Sequence, residues 1–189
     1  MNNSDTGRQL KAALQIVKDG EQQVAALFVA LDEGLRGPGL RPTHKRTLGQ
    51  NQTARTDNAS DWTPAALYRI YCLAGGDEEK AQTRFLIVEV QLLPEAADEP
   101  QLVCALVEMS DPVPPRSLWA THWGRDADDL WSVLGGPLLQ PAEIPVEQLR
   151  GAIAIARRGR AFTVPLCSIT DENLGSLVVG QADALFQST

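Results

Sequence analysis

Three carboxylates and one amide near the middle of the chain are the residues best placed to do chemistry. Glu89 and Gln91 stand in the apolar run FLIVEVQLL and Glu108 in the run QLVCALVEM; the acidic segment PEAADEP separates them, and Asp77 sits in the preceding turn AGGDEEKAQ. Period two puts Glu89 and Gln91 on the same side of one strand. The second run must fold back antiparallel, because a parallel crossover needs about a dozen residues or more. A reversal near Ala96 and Ala97 is expected to set Glu89 opposite a residue between Ala105 and Glu108. Two carboxylates held that close split their pKa values and divide acid and base roles. With Asp77 and Gln91 adding oxygen ligands for Mg²⁺, the set describes a metal-dependent hydrolase that polarises a phosphate while a base activates water. The competing reading gives Glu89 a solvated or locally hydrogen-bonded structural role.

Glu89-Val90-Gln91 is similar to nuclease strands that pair a metal-binding carboxylate with a polar residue two positions later; here Gln91 stands where such strands usually carry lysine. Other chemistries have fewer residues to draw on. His44 and His122 are the two histidines, neither beside paired cysteines, so transition-metal binding and a histidine-based nucleophilic triad are both poorly supplied. No cofactor is expected. Cys72, Cys104 and Cys167 are odd in number, far apart and in apolar surroundings, which reads as buried thiols in a reducing compartment rather than a disulfide framework. Trp119, Trp123 and Trp131 cluster in LWATHWGRDADDLW, where they either cover the sheet or anchor a partner.

The chain of 189 residues carries a net charge of -7 with 43% apolar and 22% charged residues. An acidic protein of this kind repels nucleic acid and anionic membranes at long range. The segment MNNSDTGRQ lacks the basic and apolar regions of a secretory signal, and no apolar run approaches the roughly 20 residues of a membrane span. The expected location is cytoplasmic.

The elements that position these residues follow from periodicity. Leu10, Leu14, Val17, Val24, Phe28, Leu31 and Leu35 recur at helical spacing over 8–35, with Glu21 on the same stripe, Thr6 as a start cap and Gly34 or Gly37 as a stop. Gly20 weakens this helix by about 1 kcal/mol without breaking the register. Residues 37–61, rich in Gly, Pro, Thr and Asn and carrying Arg41, Lys45, Arg46 and Arg55, read as an exposed basic linker. Strands are expected over 66–73, 84–93, 101–109 and 161–166. In the first, Arg69 shares a parity with Leu67 and Tyr71 and makes that face amphipathic, leaving Tyr68, Ile70 and Cys72 for the core. Asp126 opens a short helix through Leu134, Pro145 opens another over 146–158 that Gly159 stops, and Arg157, Arg158 and Arg160 cluster at its C-terminus. After Thr170 a helix is favoured to about Leu185, with a short strand at 177–179 as its competitor.

The resulting class is α+β: an antiparallel sheet of at least three strands, with a fourth near the C-terminus, covered on one side by helices and joined to a long amphipathic N-terminal helix. The domain division is a helix at 1–36, a linker at 37–61 and the principal domain at 62–189. The leading expectation for function is a non-enzymatic protein-interaction module, such as an adaptor, inhibitor or assembly factor. Leu14, Phe28, Leu31, Trp119, Trp123 and Trp131 are its candidate contacts, with a homodimer formed through the helical stripe. The alternative is the Mg²⁺-dependent hydrolase or nuclease built on Asp77, Glu89, Gln91 and Glu108.

Overall fold

A computed structural model describes residues 3–43, 49–51, 66–73, 80–92, 94, 97–115, 118, 130–138 and 140–187. Helix α1 (Asn3–Gly34) is followed by β1 (Leu40–Pro42), β2 (Gly49–Asn51), β3 (Ala66–Leu73), β4 (Gln82–Gln91) and β5 (Gln101–Val113). Then come α2 (Leu130–Leu134), β6 (Ala142–Ile144), α3 (Val146–Ala152), β7 (Ala156–Pro165), a 3₁₀ turn (Leu166–Ser168), a π-helical turn (Gly175–Val179) and α4 (Gly180–Gln187). Among the described residues seven strands form one antiparallel sheet in the order β1-β3-β4-β5-β7-β6, and β2 joins β3 on the same edge as β1. The α+β class, the antiparallel sheet, its covering helices and the long N-terminal helix are therefore as the periodicity implies.

Helices lie on both faces of this sheet, not on one. Phe85, Ile87, Val103, Ala105 and Val107 point to one side, where Leu118, Leu130, Trp131, Leu149 and Ile153 cover them. Leu86, Val88, Val90, Leu102, Cys104 and Leu106 point to the other, under Val24, Phe28, Leu31 and Leu35 of α1 and Val178, Ala182, Leu185 and Phe186 near the C-terminus. The cause is visible in β4 and β5: both parities are apolar, and a sheet apolar on both faces has to be covered on both.

Several local expectations change. Helix α1 starts at Asn3, so Thr6 lies inside it rather than capping it. The interval expected to be a linker holds β1 and β2, with Leu40 and Thr43 buried. Arg69 is buried rather than lining an amphipathic outer face. Helix α3 ends at Ala152, and Arg157, Arg158 and Arg160 stand on β7, where Arg158 and Arg160 pair with Glu143 of β6. Gly159 does not stop a helix; a Cβ there would come within 2.6 Å of Leu149, so its lack of a side chain lets α3 sit close on the sheet. Gly34 plays the same part at the end of α1, where a Cβ would meet Val179 at 2.7 Å. The stretch after Thr170 is helical, with Val178 and Leu185 buried. Cys72 and Cys104 are buried as expected, but Cys167 is exposed and its thiol donates to the Glu99 carboxylate. Of the helix expected from Asp126, the part over Leu130–Leu134 is observed, and its start lies outside the described residues.

Candidate interaction surface

The two halves of α1 have different surroundings. Its 32 residues span about 48 Å at the usual rise of about 1.5 Å per residue. From Val24 onward its apolar stripe is core: Val24, Phe28, Leu31 and Leu35 are almost fully buried against the sheet. Before Gly20 the described side chains of the same helix are exposed, Leu14, Ile16 and Val17 at 60%, 72% and 40%. Leu14 and Val17 continue the buried stripe by helical spacing, so a surface built for packing runs on where there is no sheet beneath it.

The docked half is fixed by a buried polar cluster. Arg69 of β3 donates through Nε to Asp32 Oδ1 at 2.7 Å and through Nη2 to Oδ2, and the Tyr71 hydroxyl donates to Asp32 Oδ1 at 2.9 Å. Arg69 and Tyr71, two positions apart on one strand, both face α1. Burial, followed by the adjacent Asp32 charge, pushes the Tyr71 hydroxyl well above its ordinary range. In the undocked half the Gln15 amide donates to Asp19 one turn later at 2.7 Å. Nucleation is the costly step of helix formation, and this half grows from a docked end that is already helical.

Beside the middle of α1 lies an apolar groove of about 520 Å³, with Leu27 and Ala30 on its helix side and Leu92, Leu166, Ile169 and Leu174 opposite. Nothing in the local sequence foretold it, since its walls come from three distant segments. Ile16 was likewise missed as a contact because it lies off the main stripe.

The sheet carboxylates are not brought together. Glu89 pairs with Val103 across β5, not with a residue between Ala105 and Glu108; the register places Arg84 opposite Glu108. Glu89 is fully buried, and its carboxylate accepts from the backbone N–H groups of Leu130 at 3.1 Å and Trp131 at 3.3 Å, the first residues of α2. A carboxylate of the sheet thus gives two buried backbone N–H groups of α2 an acceptor. Burial and the Glu89 charge raise the neighbouring Tyr68 hydroxyl above its ordinary range. Gln91 is buried opposite Gln101. Glu108 lies between Arg84 at 3.6 Å and Arg157 at 3.3 Å, and the Arg84 guanidinium stacks 4.5 Å over Phe186 while donating to that residue's carbonyl at the end of α4. Asp77 lies outside the described residues. Among the described residues no three His, Cys, Asp or Glu side chains gather as a metal-binding group.

Of the remaining candidate contacts, Leu14 is exposed, Phe28 and Leu31 are core, and Trp131 is buried beneath α2. Trp119 and Trp123 lie outside the described residues. No helix among the described residues is long and apolar enough to cross a membrane. The chain matches no protein-family model, no curated protein and no solved structure.

Proposed function

We propose that the chain is a protein-interaction module that binds through the overhanging half of α1. One observation carries this reading: Leu14, Ile16 and Val17 are exposed on a helix whose following turns are core, so apolar area is held in a defined conformation without being used by the fold. Large apolar side chains presented together on an ordered element are characteristic of interaction sites. The partner is a protein surface offering a complementary helix or groove, a second copy of this chain included. An adaptor, inhibitor or assembly factor would use such a surface without chemistry of its own. Three free thiols accord with a cytoplasmic setting, and the net charge of -7 works against nucleic acid as partner. The hydrolase reading needs Glu89 on an open site with other ligands, and no observation favours it.

The test separates binding from folding. Leu14→Gln with Val17→Gln keeps good helix formers on an exposed surface, so the unfolding midpoint should stay within about 0.5 kcal/mol of wild type. Association with the bound protein, self or other, measured by calorimetry on purified components, should weaken at least about tenfold. Phe28→Ser, by contrast, should destabilise the fold by about 3–5 kcal/mol. Association unchanged in the Leu14/Val17 variant would overturn the reading.

A further inference from the structure

We infer that the groove beside α1 receives residues 8–19 of α1 from a second copy, the two helices crossing antiparallel near Gly20 and each filling the other's groove. This rests on the overhang being a binding surface and names what it binds. Gly20, Leu27 and Ala30 face the groove, and the same side of the helix continues N-terminally through Ile16 and Ala13. An antiparallel pairing about Gly20 therefore lays Ile16 and Ala13 of one copy along the groove side of the other, between about Gln23 and Leu27. A Cβ added at Gly20 would meet nothing within 4 Å, so the crossing point is open to a close approach. The lengths agree: residues 8–19 span about 18 Å as a helix, and the groove-lining stretch of α1 from Gly20 to Ala30 about 16 Å.

Charge selects this occupant. Residues 8–19 carry Arg8, Lys11 and Lys18 against Asp19 alone, within a chain whose net charge is -7. The groove's outer wall is acidic, with Asp171 lining it, Glu172 beside it and Asp98 and Glu99 just before the lining Pro100. Lys11, Lys18, Asp171 and Glu172 are exposed, and none of them enters an ion pair among the described residues. A two-fold arrangement uses each surface twice and closes, leaving no second apolar overhang.

The experiment mixes isotope-labelled and unlabelled full-length chains under reducing conditions, so that exposed Cys167 forms no disulfide, and joins touching amines and carboxylates with a zero-length carbodiimide. Peptides pairing Lys11 or Lys18 of one isotope with Asp171 or Glu172 of the other are expected. In sedimentation at low salt, Lys11→Glu with Lys18→Glu should weaken the dimer about tenfold, and adding Asp171→Lys with Glu172→Lys should restore most of it. A monomer at every concentration overturns the inference while leaving the overhang free to bind another protein. A dimer that is sensitive to Leu14→Gln with Val17→Gln, but gives no mixed-isotope pairs and ignores the charge changes, also overturns it, because the helical stripe then associates without the groove.

Discussion

Glu89 illustrates how a buried carboxylate in a sheet can serve structure. The two N–H groups it accepts from belong to Leu130 and Trp131 of α2, and Glu89→Ala would take that acceptor from both. Glu89→Ala should therefore cost about 2–4 kcal/mol in urea-induced unfolding, and Glu89→Gln, which keeps one acceptor oxygen, about 1–2 kcal/mol. Equal stability of Glu89→Ala and wild type would contradict this structural role. Period two in FLIVEV correctly placed Glu89 beside Phe85 and Ile87, but its partners lie 41 and 42 residues away and leave no local trace. The expected pairing with Glu108 failed for a simpler reason: the register is fixed by both sheet faces at once, and a shift of two residues keeps every side chain on its face while changing every neighbour.

At the scale of elements, α1 is tied to β3 by charge as well as by apolar contact. Asp32 retains some solvent access while Arg69 is almost wholly buried, so removing the carboxylate takes from a buried guanidinium the acceptor of two of its N–H groups. Asp32→Ala should destabilise the protein by about 2–3 kcal/mol, below the cost of breaking a fully buried pair because Asp32 is partly screened. Asp32→Leu with Arg69→Met should recover most of that loss in thermal unfolding, because the buried guanidinium is then removed together with its carboxylate. A double variant no more stable than Asp32→Ala would show that geometry, not charge burial, sets the cost. The helix was legible because its stripe is long and regular. Where the sheet ends beneath it was not, since that depends on strand pairings distant in sequence. Strands β1, β2 and β6, three residues each, were too short to show a period.

For the whole molecule, the sheet is covered on both faces, and the described side chains of α1 before Gly20 are exposed rather than part of that core. This division makes Phe28 and Leu31 poor probes of assembly although they share a stripe with Leu14: both are buried in the core, whereas Leu14 is exposed, so replacing Leu14 should leave the fold intact. Composition foresaw the acidic background but not its local relief, in which a basic helical arm projects from a body with an acidic groove wall.

Amide hydrogen exchange along α1, measured over a concentration series, tests this division of labour most directly. Residues 24–34 should exchange slowly at every concentration, and residues 8–19 should exchange fast when dilute and become protected as concentration rises. Protection over 8–19 that does not change with concentration, or exchange over 24–34 as fast as over 8–19, would contradict it.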